Sequence, residues 1–513
     1  MNNGAVSWSA AWQGELDSLS IRELVDLRAS QTPDAVWLID PVSGEQLSFA
    51  DLRDRCQRVA RFVTEKGVKV GASVAIAAGN SAASAATILG VCYAGRRATA
   101  INLVAGADTI AYVLSHSASA LILCDELGSA ELPTILSPDV PCGHCEDALA
   151  ATPLTDLPRV AAHNDGLLMY TSGTTGLPKG VRLSHANLIA GGRNTAQAHQ
   201  LDAADRALCV LPLYHINGLC VTLFAPLVSG GSVVLPPRFS VSAFWSWLSD
   251  HRCTWFSVVP TQISWLLHGE KDRVRGEHDA LRFGRSASAP LSPDVHRAFE
   301  ERFGLPMIET MGLTETAAQI LSNPMPPGRC KHGSPGVAVG NEVAIVDANT
   351  GEKCAAGEEG EIRVRGANVM QGYLDNPDAT AQALTSDGWL CTGDLGRMDD
   401  DGYVFVTGRL KELIIKGGEN IAPREIDEAL LTHPDVIEAA AFAKPCADYG
   451  QRVEAGVVLR ENANTSADSL RSHCQSRVGA FKSPDRVHLL DSLPKGPSGK
   501  VQRLKLADLT DQA

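Results

Sequence analysis

The sequence predicts an α/β fold, with a large multi-layer amino-terminal domain around buried sheets and a small α+β carboxyl-terminal domain. Its 513 residues exceed the roughly 250–300 at which a single hydrophobic core usually stops growing. Apolar runs of strand length, such as 73–78 and 255–259, alternate with helical patterns such as 50–66, an order typical of helix-covered sheets. After Gly408 a separate pattern follows, long enough for a second domain. We therefore predict domains at 1–408 and 409–513, joined by a hinge.

The composition excludes several classes of protein. With 44% hydrophobic and 20% charged residues, the chain is folded rather than disordered. Its net charge of −14, without a basic run, argues against a nucleic-acid partner. The most apolar stretch, 73–95, is interrupted at 79–81, so we predict a buried strand, a turn and a buried helix rather than a membrane span. The amino terminus lacks the pattern of a secretory signal. We therefore expect a cytoplasmic protein.

One cysteine pair, Cys142 and Cys145, has the CxxC spacing of disulfide oxidoreductases. Such a motif normally opens a helix directly after a buried strand, whereas the preceding residues 137–141 have the composition of a loop. No second ligand pair at a spacing suited to zinc accompanies it. We predict that this motif is an incidental loop with no redox or metal function.

The segment 170–180 is the most informative part of the chain. It combines four serine and threonine hydroxyls, three glycines and one lysine in eleven positions. Glycines let the backbone approach an anion, and hydroxyl and N–H groups bind phosphate oxygens. It is not a Walker loop, because Pro178 precedes the lysine and Gly180 follows it. We predict a phosphate-binding loop, with a flexible surface loop as the alternative. The predicted phosphate ligands are Thr171, Ser172, Gly173, Thr174, Thr175 and Lys179.

Four further segments, 311–316, 392–394, 408–412 and 493–503, follow in a specific order and spacing. Together with 170–180 they resemble the adenylate-forming superfamily of acyl-CoA synthetases, peptide-synthetase adenylation domains and firefly luciferase. The resemblance covers about residues 21–503. It implies the adenylate-forming enzyme fold and an AMP-forming acid–CoA ligase. Such an enzyme converts a carboxylic acid, ATP and coenzyme A to acyl-CoA, AMP and pyrophosphate through an acyl-adenylate, with Mg²⁺ as cofactor.

The resemblance assigns the nucleotide and the metal ion to the region around 311–316. It implies that Thr314 contacts the nucleotide phosphate and that Glu315 holds Mg²⁺, a cation that prefers carboxylate oxygens. Met311 stands where many relatives have a tyrosine against the adenine, and a methionine can still pack on a ring. Without the resemblance, this segment would also fit an ordinary helix N-terminus. The other cofactor-binding residues implied here are Ala289, Glu309 and Thr310.

The resemblance places further groups near the carboxyl end. Asp394 and Arg409 are implied to bind the ribose, and Lys411 to be the pivot of the hinge. Lys500 is the implied catalytic lysine, a compact charge between carboxylate and α-phosphate. Taken alone, the segment with Asp394 would be a common turn, Lys411 would be a solvated lysine in a linker, and the segment with Lys500 would be a basic tail loop. Acetylation of Lys500 by a protein acetyltransferase is a further hypothesis, because it would remove this charge.

Coenzyme A is implied by two features. Gly417 and Gly418 resemble the segment that lines the pantetheine tunnel of CoA ligases, and Arg238 stands where relatives bind the CoA phosphates with a basic residue. The alternative for the two glycines is a plain β-turn.

The acid pocket is expected around His215, Asn217, Arg285, Ser286 and Ser288. His215 fits the gate residue beside the substrate carboxylate, with a buried core histidine as its alternative. Arg285 would neutralise a second acidic group, or else form a surface ion pair away from the pocket. The chain here resembles oxalate–CoA and sulfoacetate–CoA ligases, so we predict a small anionic acid.

Two alternatives remain open at this stage. Within the enzyme class, the acid would be a medium- or long-chain fatty acid or an aryl acid. From another class, the chain would be a non-catalytic nucleotide-binding protein on a ligase fold.

Overall fold

The computed structural model describes residues 16, 18–131, 140–171, 177–269, 278–495 and 501–510. By its contacts the chain divides into two compact units. The first contains residues 18–171, Leu177–Val343 and Val364–Leu390, and the second contains Ala344–Arg363 with residues 391–495 and 501–510. The domain boundary at 408/409 stays a prediction. Among the described residues no helix is both long and apolar enough to cross a membrane.

The strands are numbered in chain order. They are β1 Val36–Ile39, β2 Gln46–Ser48, β3 Ser73–Ala77, β4 Arg97–Ala100, β5 Leu121–Cys124, β6 Cys142–His144, β7 Asp165–Thr171, β8 Lys179–Ser184, β9 Arg206–Cys209, β10 Ser232–Val234, β11 Trp255–Val258, β12 Phe283–Ser286, β13 Met307–Leu313, β14 Ala318–Ser322, β15 Val337–Ala338, β16 Glu342–Val346, β17 Glu359–Arg365, β18 Gly372–Tyr373, β19 Leu390–Met398, β20 Val404–Arg409, β21 Ile414–Lys416, β22 Glu419–Ile421, β23 Val436–Cys446, β24 Gly450–Leu459 and β25 Arg486–Leu489.

The helices are likewise numbered in chain order. They are α1 Ile21–Gln31, α2 Phe49–Glu65, α3 Ala82–Tyr93, α4 Ala107–His116, α5 Glu126–Glu131, α6 Cys145–Ala150, α7 His185–Ala198, α8 Ala225–Ser229, α9 Val241–Asp250, α10 Pro260–His268, α11 Pro293–Phe303, α12 Pro377–Ala383, α13 Pro423–Leu431, α14 Ala467–Lys482 and α15 Arg503–Leu509; a π-helical segment covers Asn217–Phe224, and 3₁₀ turns cover Thr314–Thr316 and Leu410–Glu412.

Two large sheets organise the first unit. One has nine strands in the order β15-β14-β13-β12-β11-β9-β10-β1-β2, and the other has seven in the order β18-β8-β7-β4-β3-β5-β6. Their central neighbours are parallel, while β7–β8, β8–β18 and β13–β14 are antiparallel. Central strands such as β3 and β11 are buried along their whole length, as expected for parallel sheets covered on both faces. The predicted α/β class is confirmed.

Local sequence explains where the helices begin. At the start of α7 the Ser184 hydroxyl accepts a hydrogen bond from Asn187 N (3.1 Å), and Asn187 Oδ1 accepts one from Ser184 N (2.9 Å). These reciprocal bonds satisfy two N–H groups that would otherwise lack a partner. Because Ser184 also ends β8, the cap fixes the direction of the chain directly after the strand that begins with Lys179.

The second unit contains two smaller sheets. Most of the four-stranded sheet β16-β17-β19-β20 belongs to it, as does the five-stranded sheet formed by β22-β21-β24-β23 with β25 beside β24. The five-stranded sheet has its own core with α13 and α14, formed by residues such as Ile414, Ile426 and Leu470. This α+β arrangement matches the small second domain expected from the sequence.

One local prediction is wrong. Cys142 lies in the edge strand β6, and Cys145 opens α6, so the CxxC segment is not a loop. Its thiols are nevertheless unlike redox cysteines, because burial raises the pKa of Cys145 to about 12 and that of Cys142 to about 11. For segment 311–316, the alternative of an ordinary helix N-terminus does not hold, since Met311 lies inside β13 and a 3₁₀ turn follows.

Candidate active site

The ends of two antiparallel strands frame the predicted phosphate loop. Thr171, the last residue of β7, is the cross-strand partner of Lys179, the first residue of β8. The loop therefore leaves and re-enters the sheet at adjacent positions. Four of its predicted ligands, Ser172, Gly173, Thr174 and Thr175, lie outside the described residues.

A tyrosine links Lys179 to the predicted metal ligand. The Tyr373 hydroxyl donates a hydrogen bond to Glu315 Oε1 (3.0 Å), and Lys179 Nζ lies 4.9 Å from the centre of the Tyr373 ring. Burial raises the pKa of Tyr373, and the Glu315 charge raises it further, so this phenol stays a donor. Within the described parts of the chain, no lysine or arginine forms an ion pair with Glu315. Its second oxygen can therefore bind a cation.

Strand β13 holds the other predicted nucleotide residues. Thr310 is buried and its hydroxyl donates to Ser286 O (3.2 Å) on the neighbouring parallel strand β12. Glu309 is buried and accepts a hydrogen bond from Leu291 N (3.1 Å). The other residues predicted to bind the nucleotide are more accessible to solvent. Met311 and Thr314 are half-buried, and Ala289 is exposed.

Three of the predicted acid-pocket residues are joined by hydrogen bonds in the first unit. Asn217 is buried at the start of the π-helical segment. Its Nδ2 donates to Ser288 Oγ (3.1 Å), and its Oδ1 accepts from Arg285 Nη1 (2.9 Å). Ser286, adjacent to Arg285 in β12, is fully buried, and its hydroxyl has no hydrogen-bond partner among the described residues. His215 is half-buried, its ring edge-on to Tyr214 with centroids 4.7 Å apart, which argues against a buried core histidine.

Arg285 is a buried guanidinium held by neutral groups. It is only 1% exposed, and its bonds go to Asn217 Oδ1, Ser257 Oγ (3.1 Å) and Gln319 Oε1 (3.3 Å). No carboxylate pairs with it in the described ranges, where its Nε also lacks a hydrogen-bond partner. The alternative of a surface ion pair is therefore wrong. Burial lowers the pKa of Arg285 to about 9, which leaves it charged at neutral pH.

The second unit contains the predicted ribose site. Asp394 and Arg409 are cross-strand partners in β19 and β20, and Arg409 Nε lies 2.8 Å from Asp394 Oδ1. The turn before Asp394 is fixed by Thr392, whose hydroxyl donates to Ile362 O (2.6 Å) and accepts from Asp394 N (3.1 Å). Glu361, a buried residue that the sequence did not suggest, accepts a hydrogen bond from Gly393 N (3.1 Å).

The residues predicted for the hinge and for coenzyme A are mostly exposed. Lys411 is exposed in the 3₁₀ turn Leu410–Glu412. Gly417 and Gly418 connect β21 to β22 with φ of 61° and 86°, so they form a two-residue hairpin turn of the type that needs positive φ at both positions. In the first unit, Arg238 is exposed and has no ion pair or hydrogen bond with any described residue.

The residues on either side of the segment predicted to carry the catalytic lysine are fixed, although Lys500 itself lies outside the described residues. Lys495 and Val501 form an antiparallel bridge, and Gln502 N donates to Pro494 O (2.8 Å). The next residue, Arg503, forms ion pairs with Glu412 and Asp427.

Comparison with known proteins identifies the family. The pattern of the AMP-binding enzymes matches residues 25–374, and that of the AMP-binding enzyme C-terminal domain matches 425–500. The chain therefore belongs to the AMP-binding enzyme family.

Curated relatives and solved structures match nearly the whole chain. A sulfoacetate–CoA ligase of Cupriavidus necator is 46% identical over 95% of this chain and 97% of its own, and an oxalate–CoA ligase of Arabidopsis thaliana is 36% identical over 95% and 98%. ATP-bound MatB from Rhodopseudomonas palustris matches with a TM-score of 0.89 at 29% identity, covering 96% of this chain and 99% of that one. o-Succinylbenzoate CoA synthetase from Bacillus subtilis, in complex with its acyl-adenylate, matches with a TM-score of 0.86 at 30% identity, covering 94% and 97%. The adenylate-forming fold expected from the sequence is confirmed.

Proposed function

We propose that this enzyme activates a small acid that carries a second anionic group. The observation that supports the proposal is Arg285, a charged and fully buried guanidinium with no carboxylate partner in the described ranges. Removing a charge from water costs several kcal/mol even after the protein relaxes. Asn217 bonds both Ser288 and Arg285, and an anion bound beside this group would offset part of that cost.

The reaction is that of an AMP-forming acid–CoA ligase, with ATP and coenzyme A as co-substrates. The acid becomes an acyl-adenylate with release of pyrophosphate, and the thiol of coenzyme A then displaces AMP. Both partners in the first step are anions, so the main task of the protein is to neutralise charge. We assign this task to the phosphate loop, to Lys179 and to Lys500.

The carboxylate of Glu315 fits the role of magnesium ligand. It is half-buried, it has no ion pair within the described ranges, and Tyr373 fixes one of its oxygens at 3.0 Å. Hard oxygen ligands of this kind suit Mg²⁺. When bound, the ion supplies positive charge to the phosphates, and Tyr373 keeps the Glu315 carboxylate in one orientation.

For the acid itself we propose sulfoacetate first and oxalate second. Each carries two anionic groups on a two-carbon skeleton, and the sulfoacetate ligase has the higher identity, 46% against 36%. A fatty or aryl acid is less suited to a pocket formed by His215, Asn217, Ser288 and a buried charge. Its apolar part would displace water from these polar groups without offering them hydrogen bonds, which costs free energy.

The experiment compares acids with and without the second charge. AMP formation would be measured with sulfoacetate, oxalate, malonate, acetate, octanoate and coumarate, in the wild type, Arg285→Gln and Arg285→Lys. We expect turnover on a dianionic two-carbon acid. Arg285→Gln should raise the KM for that acid about tenfold or more, the effect of losing an interaction with a charged group, while the KM for acetate changes little.

A matched control separates substrate binding from folding. Arg282, three residues earlier, forms an ion pair with Asp205 in the same unit, so Arg282→Gln also removes an arginine near this sheet. In Arg282→Gln, the ratio of the KM for the dianionic acid to the KM for acetate should equal the wild-type ratio. Preference for octanoate or coumarate would disprove the anionic pocket, and no AMP with any acid would disprove the ligase assignment.

Two finer proposals concern location and regulation. A cytoplasmic location is supported by 13 free cysteines, which suit a reducing compartment. Acetylation of Lys500 would remove the charge that adenylation needs. If adenylation is unchanged after stoichiometric acetylation of Lys500, the regulatory proposal fails.

A further inference from the structure

Three side chains of the types that ligate metal ions, none of them a predicted acid-pocket residue, lie beside β13, β14 and β15 at one end of the nine-stranded sheet. His296 belongs to α11, while Cys330 and His332 lie in the segment between β14 and β15. One ligand nitrogen from each imidazole and the Cys330 sulfur all lie within 4.8 Å of one another. The two rings meet edge to face, with centroids 4.3 Å apart.

Hydrogen bonds orient both imidazoles. His296 is fully buried, and its Nε2 lies 2.6 Å from Met307 O, which fixes Nε2 as a donor. Its Nδ1 is then a buried acceptor, and it has no hydrogen-bond partner among the described residues. His332 Nε2 lies 3.0 Å from Glu300 Oε2. Metal-binding histidines typically donate their second N–H to a backbone carbonyl or a carboxylate in this way.

The segment that carries Cys330 and His332 is held at its base. Asn323 Nδ2 donates to Ser334 O (2.6 Å), and Lys331 N donates to Asn323 Oδ1 (3.1 Å). A cavity of about 460 Å³ lies beside the cluster and is lined by residues including Glu300, Pro326 and Cys330. It gives an ion a path to the cysteine sulfur.

We propose that His296, Cys330 and His332 form a binding site for a zinc-type divalent transition metal ion, with the cavity side open for a fourth ligand. One thiolate and two imidazoles are ligands that Zn²⁺ and Co²⁺ prefer, and they are poor ligands for Mg²⁺. Zn–N and Zn–S bonds of about 2.0 and 2.3 Å require ligand atoms roughly 3.5 Å apart in a tetrahedral site. The three ligand atoms, which lie within 4.8 Å of one another, therefore need to move closer by at most about 1 Å on binding.

Two other interpretations are weaker. A nucleophilic cysteine activated by histidine needs a hydrogen bond to an imidazole nitrogen, and among the described residues Cys330 forms none with His296 or His332. A purely structural contact between His332 and Glu300 explains one hydrogen bond, but it leaves the buried His296 Nδ1 without a partner.

The test uses the full chain, treated with a chelator and kept free of ATP so that the nucleotide site does not contribute. Co²⁺ is titrated while the thiolate-to-cobalt charge-transfer absorption is recorded, and Zn²⁺ is then added to displace it. We expect one ion per chain. Cys330→Ser should remove the charge-transfer band, and His332→Ala should weaken Co²⁺ binding at least about tenfold, the loss typical of disturbing a metal site. His296 is left intact because it is fully buried.

Two serine substitutions serve as controls. Cys354→Ser removes another half-buried cysteine, and Cys142→Ser removes the exposed cysteine whose sulfur lies 3.6 Å from that of Cys124. Both should bind Co²⁺ like the wild type. The proposal is overturned if the wild type gives no thiolate band, if Cys330→Ser retains it, or if Cys142→Ser removes it.

Discussion

Asp394 and Arg409 face each other on adjacent antiparallel strands, and their side chains form an ion pair of 2.8 Å. Asp394 is almost completely buried, whereas Arg409 is about two-fifths exposed. The arginine is thus one of the groups that orient this carboxylate. If both bind the ribose, Asp394→Asn and Arg409→Gln should each raise the KM for ATP, and their effects should not add. Residues in contact typically couple by about 0.5–3 kcal/mol, which a double-mutant cycle on AMP affinity measures.

A surface ion pair provides the control for that cycle. Arg365 and Glu342 pair at 2.8 Å with both side chains well exposed. Arg365→Gln should leave AMP affinity unchanged. Additive effects of Asp394→Asn and Arg409→Gln would show that the pair does not act as one unit in nucleotide binding.

The hydrogen bond from Tyr373 to Glu315 predicts a change in magnesium dependence. Tyr373→Phe removes only the hydroxyl, so Glu315 keeps its charge but loses its orienting donor. A typical hydrogen bond contributes about 1 kcal/mol, so the Mg²⁺ concentration for half-maximal AMP formation should rise about fivefold. The matched control is Tyr112→Phe, because the Tyr112 hydroxyl makes no hydrogen bond to any residue that the structure describes. An equal rise in both variants would contradict the assigned role of Tyr373.

Sequence periodicity predicted the elements well. The expected helix at 50–66 is Phe49–Glu65, and the expected strand at 73–78 is Ser73–Ala77. Periodicity shows which face of an element is buried, but it does not show which distant segment covers that face. Tyr373 lies 58 residues from Glu315, and no motif connects the two. The sequence likewise identified Arg285 as a pocket residue but did not show what surrounds its guanidinium. One of its hydrogen-bond partners, Asn217, lies 68 residues away in the chain.

His185 predicts how stability depends on pH. It is buried at the start of α7, where its Nδ1 accepts a hydrogen bond from Ile21 N (3.2 Å) and its Nε2 has no partner among the described residues. Burial lowers the pKa of His185 from 6.5 to about 4. The folded state therefore keeps this ring neutral, while the unfolded state takes up a proton below pH 6.5. The stabilisation is present above pH 6.5 and is lost as the pH falls towards 4.

The size of this effect follows from the pKa difference. Each pKa unit corresponds to about 1.4 kcal/mol, so His185 should account for roughly 3 kcal/mol of the stability lost between pH 6.5 and pH 4. His185→Gln should flatten the pH dependence of the free energy of unfolding in that range, as measured by urea denaturation. The exposed His163 gives the control, since His163→Gln should follow the wild-type curve. A curve for His185→Gln that is parallel to the wild type would show that this histidine does not titrate on unfolding.

Substitution of Lys500 should impair the first half-reaction, adenylation, and spare the second, thioester formation. The bridge between Lys495 and Val501 and the ion pairs of Arg503 fix both ends of its loop, so one substitution inside it should leave the second unit folded. Lys500→Ala should reduce acid-dependent pyrophosphate exchange at least about 100-fold, the effect of removing a charge that stabilises a transition state. Thioester formation from preformed acyl-adenylate should stay near the wild-type rate, because no new anion is brought to the phosphate in that step. Lys495→Ala, at the other end of the same loop, should retain both activities. Equal loss of both activities in Lys500→Ala would instead assign this lysine a structural role.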